Sequence, residues 1–240
     1  MDDRSSDTFF NGRLIVHQLR NGYRFSIDAV LLAATITPRP GDRMLDLGTG
    51  CGVISLIVAF RHPTVQIHAV EIQESLADLA RTNIAANHLD QRISLSQADM
   101  RHLPAGQVGA PFDWVVSNPP YRASCTGRVN PDNQKALARH EIMLDVTQLI
   151  ATAKRMLRTG GRLATIFPAA RAVDLLWQMR SAGLEPKWLQ AVHSREGEEA
   201  RLLMVHAIKA ARPGLIWAPP LMVYGEDGGY TPAVQKMMTA

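Results

Sequence analysis

The chain has 240 residues, is 46% hydrophobic and carries a formal charge of +4, with an isoelectric point near 9.3. That suffices for one α/β unit with a substantial core, while no apolar run is long enough to span a bilayer. Two cysteines, Cys51 and Cys125, are too few for a disulfide framework or a cysteine-rich metal site, so no metal is expected. The start, Met1 to Asp7, has no signal-peptide form, which makes the cytoplasm the expected compartment. The basic balance permits a polyanionic partner without requiring one, since a base-composition bias also yields an arginine excess.

Residues 1–39 read as an amino-terminal extension. Within it, Ser26 is placed as a helix N-cap and Asp28 in the positive first turn. Met44 to Leu47 is then a short apolar strand running into Gly48-Thr49-Gly50-Cys51-Gly52, with helical character from Val53 to Phe60. Glycine at every second position lets the backbone turn sharply and approach a ligand closely. On its own such a loop is weak evidence and also fits a dinucleotide site. A second strand, Gln66 to Val70, ends in Glu71, about 20 residues beyond the glycines, where an acidic side chain is placed to bind ribose hydroxyls. A third, Ile93 to Gln97, ends at Ala98-Asp99, and that aspartate is positioned to meet an adenine amino group.

The fourth strand, Phe112 to Ser117, stops at Asn118-Pro119-Pro120-Tyr121 because two successive prolines cannot donate ladder bonds. Taken alone, the tetrapeptide is a proline turn capped by asparagine. Beyond a strand's carboxyl end it also delivers an amide oxygen, free carbonyls and an aromatic ring to one spot. Those groups suit gripping a planar amine while something is transferred to it. Arg122, Arg128, Lys135, Arg139 and His140 crowd the loop that follows, either a grip on a polyanion or a solvated charged loop.

Past the loop, Asp145 to Leu157 reads as a helix stopped by Gly160-Gly161, and Arg162 to Phe167 as a strand ended by Pro168. Ala170 to Ala182 is the next helix. Trp188 to His193 and Arg201 to Lys209 form a closing antiparallel pair with a polar tip, Ser194 to Glu199. Residues 210–240 are a Pro/Gly-rich tail in which Tyr224 and Tyr230 either stack on bases or, the simpler reading, pack on the sheet.

The ordered set of Asp46-Leu47-Gly48-Thr49-Gly50-Cys51-Gly52, Glu71, Asp99 and Asn118-Pro119-Pro120-Tyr121 resembles the Rossmann-like S-adenosylmethionine-dependent methyltransferases that methylate amino groups. Tyr23 to Leu32, Val70 to Glu74, Arg139-His140-Glu141, Val223 to Glu226 and Gly229-Tyr230-Thr231 make the chain similar to the tRNA1(Val) (adenine(37)-N6)-methyltransferase family. The resemblance implies an α/β fold, a mostly parallel seven-stranded sheet with helices on both faces and an antiparallel last strand. With no internal repeat and no low-complexity linker, a single methyltransferase domain is expected over 1–240, with its Rossmann-like core at 40–209, and a monomer is the expected state. The implied cofactor is S-adenosylmethionine, with Asp46, Gly48, Gly50 and Gly52 around its methionine part, Glu71 at the ribose and Asp99 at the adenine. Arg24, Ser26, Asp28 and Asn118 would lie near it. Asn118, Pro119, Pro120 and Tyr121 would be catalytic, and Tyr121, Arg122, Arg128, Lys135, Arg139 and His140 would hold tRNA.

Because the tetrapeptide alone serves other amines, a protein glutamine amide, guanine N2 of rRNA and DNA adenine stay open as targets. A nucleotide-dependent oxidoreductase would leave the tetrapeptide without a task, and its glycines would be spaced more widely. A binder without catalysis would have no need of Asn118.

Overall fold

The computed structural model describes residues 4–19, 26–119 and 146–239. Its strands are β1 (Arg4–Phe9), β2 (Leu14–Leu19), β3 (Arg43–Leu47), β4 (Gln66–Glu71), β5 (Ile93–Gln97), β6 (Phe112–Ser117), β7 (Leu157–Pro168), β8 (Leu184–His193), β9 (Ala200–Lys209), β10 (Ile216–Trp217) and β11 (Leu221–Met222). The helices are α1 (Ile27–Thr35), α2 (Val53–Arg61), α3 (Glu74–Ala86), α4 (146–156), α5 (Ala172–Ser181) and α6 (Pro232–Thr239).

One mixed sheet has the order β10-β8-β9-β7-β6-β3-β4-β5, with β11 also on β8. β3 to β7 are mutually parallel, while β9 runs antiparallel to both β7 and β8. The central seven strands are those the resemblance implies. The tail adds two short ones, both parallel to β8, which cover backbone groups that an edge strand would leave unpaired. β3 is buried along Met44 to Leu47, as a strand covered on both faces must be. α2 is buried from Val53 to Ala59, which explains its apolar character all round.

Two apolar clusters hold the layers together. One joins α1, α2 and α3 to one face of the sheet and takes in Phe10, Val16, Val223 and Val234 from the extension and the tail. The other joins α4 and α5 to the opposite face through residues such as Val115, Ile150, Phe167 and Met179. Tyr224 and Tyr230 stack on one another, centroids 5.4 Å apart, and lie against the first cluster, in line with the packing reading.

Three local expectations need correction. The extension contains an antiparallel hairpin, β1–β2, that its sequence pattern does not announce. Gly160-Gly161 does not follow a helix end. It lies inside β7, where the β6 register jumps between Phe112 and Trp114 and residues 158–161 bulge out. A Cβ on Gly161 would sit 2.9 Å from the Arg158 carbonyl oxygen, so this glycine serves close approach of two backbones. β8 starts at Leu184 rather than Trp188, because Pro186 falls at a register shift where its missing N–H costs no ladder bond.

Candidate active site

Strand order reverses between β3 and β6: the chain goes from β3 outward to β4 and β5, then returns to β6 on the other side. Open α/β sheets bind ligands in the crevice outside the carboxyl ends of the strands at such a point. The glycine loop leaves β3 there, and Asn118 leaves β6. Asp46 is in register with Val116, so Asn118 follows β6 at the level where Gly48 follows β3. The Ser117 hydroxyl donates to the Leu47 carbonyl at 2.8 Å and fastens the two strand ends together.

The loop is pinned from below and from one side. Gly48 and Thr49 N–H donate to the Val70 carbonyl at 2.9 and 3.0 Å. Gly48, Gly50 and Gly52 have φ of 72°, 60° and 89°, the left-handed region that a side chain would strain. Glu71 is buried at the end of β4; its Oε2 accepts from the Gly50 N–H and its Oε1 from the Gln73 N–H, both at 2.9 Å. Each oxygen keeps a second lone pair for a ligand hydroxyl. Glu71 thus shapes the loop through the Gly50 N–H.

Asp46 lies beneath the loop with no exposure. Its Oδ2 accepts the Thr49 hydroxyl at 2.6 Å and the Ser55 hydroxyl at 2.7 Å. Its Oδ1 has no hydrogen-bond partner among the described residues. Burial pushes the carboxyl pKa up to about 6; the two hydroxyls work against that shift, and the Glu71 charge adds to it. An orphaned buried carboxylate oxygen under a glycine loop suits a cationic or N–H-bearing group.

Asp99 follows β5 and caps the short 3₁₀ turn Met100–His102 through the Arg101 N–H at 2.9 Å. The Arg101 guanidinium also grips both its oxygens and, with that N–H bond, holds the pKa below the usual carboxylate value. A ligand amine would therefore share Asp99 with Arg101. Asn118 is half-buried and Pro119 buried.

Ser26 is the N-cap residue of α1, but its hydroxyl makes no cap bond and faces the Asp28 carboxylate instead. Burial raises the Asp28 pKa, with Ser26 opposing. The carboxyl ends of α1 and α2 meet, where His62 Nε2 lies 3.2 Å from the Ile36 carbonyl oxygen. Arg24, Pro120, Tyr121, Arg122, Arg128, Lys135, Arg139 and His140 lie outside the described residues. Sequence reasoning missed the partners that tie these pieces together: Thr49 and Ser55 on Asp46, Arg101 on Asp99, and Ser117 between the strands.

The fold and the edge geometry define a class I methyltransferase. The methyltransferase small domain family matches residues 24–174. A tRNA1(Val) (adenine(37)-N6)-methyltransferase of Aeromonas hydrophila is 33% identical over 88% of this chain and 87% of its own. One from Porphyromonas gingivalis is 35% identical over 71% and 68%. A crystal structure of a predicted O-methyltransferase from Agrobacterium tumefaciens superposes with a TM-score of 0.69 at 25% identity, covering 88% of this chain and 94% of that one. The chain belongs to the tRNA1(Val) (adenine(37)-N6)-methyltransferase family and is an S-adenosylmethionine-dependent enzyme.

The residues present fit that cofactor. The space where a Gly48 Cβ would stand is open for 4 Å, the unpartnered Asp46 oxygen suits an ammonium group, and Glu71 retains acceptor capacity for hydroxyls. Among the described residues no helix is long and apolar enough to cross a membrane.

Proposed function

We propose that the enzyme methylates N6 of an adenine in RNA, adenine 37 in the anticodon loop of a tRNA, with Asn118 as the residue that receives the amine. The observation that carries this reading is the juxtaposition of Asn118 with the glycine loop across the β3/β6 crevice, tied by the Ser117–Leu47 bond. The relatives' names supply the choice of adenine 37.

S-adenosylmethionine supplies an electrophilic methyl carbon. Asp46, the loop glycines and Glu71 would hold the donor, with Asp99 for its adenine and Arg24, Ser26 and Asp28 as further cofactor-binding residues. The N6 lone pair of adenine is delocalised into the ring, so the nitrogen is a poor nucleophile. The Asn118 side-chain oxygen and the Pro119 carbonyl accept its two N–H bonds and favour the pyramidal, partly positive nitrogen of the transition state. Such fixed acceptors contribute on the order of a few kcal/mol each. Pro119 and Pro120 stiffen the corner, so little entropy is lost on alignment. Tyr121 stacks on the base, typically worth about 1–3 kcal/mol. No general base is needed, because the methylated nitrogen is strongly acidic and loses its proton to water.

The target base must be accessible to an edge site, as a loop or flipped nucleotide is. Arg122, Arg128, Lys135, Arg139 and His140 hold the surrounding phosphates. tRNA is a cytoplasmic substrate, which puts the reaction there, and we assign the activity to the monomer.

Asn118→Ala tests the mechanism. Methyl transfer to tRNA should be abolished while calorimetric affinity for S-adenosylhomocysteine is largely kept; retained transfer overturns it. Nucleoside analysis after incubation with labelled donor and separate pools of tRNA, rRNA, DNA and protein tests the substrate, and label outside tRNA overturns that part.

A further inference from the structure

Asn83 lies in the last turn of α3 and is a fully buried polar side chain, so its amide must find partners inside the protein. Its Oδ1 accepts from the His17 N–H at 2.8 Å, and its Nδ2 donates to the His17 carbonyl at 3.0 Å. One turn on, Asn87 does the same for Ile15: Oδ1 accepts from its N–H at 2.9 Å and Nδ2 donates to its carbonyl at 2.6 Å. Residues i and i+4 of a helix are about 6 Å apart along its axis, close to the spacing of alternate residues on a strand, about 6.7 Å. The two amides therefore act as a third strand along the outer edge of β2, whose other edge pairs with β1.

Asn83 differs from Asn87 in one respect. The second hydrogen of its Nδ2 goes to the carbonyl of Cys51, at 2.9 Å, inside the glycine loop. The loop is thus held from both sides, by Glu71 on the Gly50 N–H and by Asn83 on the Cys51 carbonyl. A carboxamide offers two N–H donors, and both are used here. One buried side chain consequently joins α3, the amino-terminal hairpin and the cofactor loop.

We infer that Asn83 is a positioning residue for the cofactor, coupling the docking of the β1–β2 hairpin to the conformation of the glycine loop. The inference rests on the assignment of that loop to S-adenosylmethionine. Two sites linked through one element bias each other reciprocally, so a ligand on the loop must also tighten the hairpin.

The test compares the same substitution at the two asparagines in the full chain. Asn83→Leu should raise the Kd for S-adenosylhomocysteine and the KM for S-adenosylmethionine about tenfold, as one buried carbonyl left unpaired would, with kcat at saturating donor and the KM for RNA kept. Asn87→Leu should speed amide exchange at Ile15 and leave the Kd unchanged. In the unmodified protein, saturating S-adenosylhomocysteine should slow amide exchange at His17, a measurement that does not depend on any variant folding.

Equal loss of affinity in both variants, an unchanged Kd in Asn83→Leu, or no ligand effect at His17 overturns the coupling. Glu71→Ala serves as the reference. If it weakens binding and Asn83→Leu does not, the coupling alone falls. If neither does, the loop is not the cofactor site.

Discussion

Asp46→Asn isolates the energetic role of the one carboxylate fully buried beneath the glycine loop. Its folded pKa is about 6, against an ordinary value of 3.8. The unfolded chain releases this proton first as pH rises, and the folded protein follows some two units later. Folding therefore loses stability between about pH 4 and pH 6, and the loss is complete above pH 6. At 1.36 kcal/mol per unit the total is about 3 kcal/mol. The asparagine has no proton to lose, so its stability relative to the parent should rise by about that amount across the window.

The absolute offset between the two proteins depends on how well the amide replaces a carboxylate that accepts from Thr49 and Ser55; the slope does not. Urea unfolding at half-unit steps from pH 4 to 7.5 measures it, and other titrating groups cancel in the difference. A second readout comes from calorimetry at pH 6 in buffers of different ionisation enthalpy. If a cationic group of the cofactor sits against Asp46, binding should expel about half a proton from the parent and none from the variant. Parallel stability curves would refute the buried-carboxylate reasoning, and equal proton release would refute its contact with the donor.

His206 has the opposite sign. It lies between the rings of Trp114 and Trp188, and burial, aided by the Arg162 charge, lowers its pKa to about 4. The stability it contributes is full above the unfolded value of 6.5 and lost as pH falls toward 4, by up to about 3 kcal/mol. His206→Leu should flatten that acid limb in fluorescence-monitored unfolding; an unchanged limb would count against it. Gly161→Ala forces a Cβ to 2.9 Å from one backbone oxygen and 3.1 Å from another, and should cost about 1–3 kcal/mol in urea midpoint measurements. Neutralising Arg128 or Arg139 should raise the KM for RNA and lower the salt slope by about one; a salt-independent KM would remove both residues from the RNA grip.

What the sequence makes legible follows from how local each cause is. Gly48, Gly50 and Gly52 stand out because a positive φ is demanded where it occurs, and Glu71 because strand, helix and strand have standard lengths. β3, β4 and β5 lie side by side in chain order, which sets the glycine loop, Glu71 and Asp99 along one half of the sheet edge, whereas the return of β6 to the far side of β3 is topology that only the resemblance implies. Asn118 is legible because two successive prolines, with no N–H to donate, cannot continue a paired strand.

The hairpin was not legible, because its outer edge is completed by side chains more than sixty residues away: Asn83 on His17 and Asn87 on Ile15. Nothing in Arg4 to Phe9 anticipates that. Pro186 and Gly160-Gly161 misled in the opposite direction, as breakers absorbed by a register shift and a bulge that only the neighbouring strands define. A trace of the missed contact was nevertheless present. Asparagine is a poor helix former, yet Asn83 stands in the last turn of α3 and Asn87 at its C-cap, four residues apart on one face. Such a pair makes sense only if each amide meets a backbone elsewhere, and the glycine loop and the hairpin are the backbones it meets.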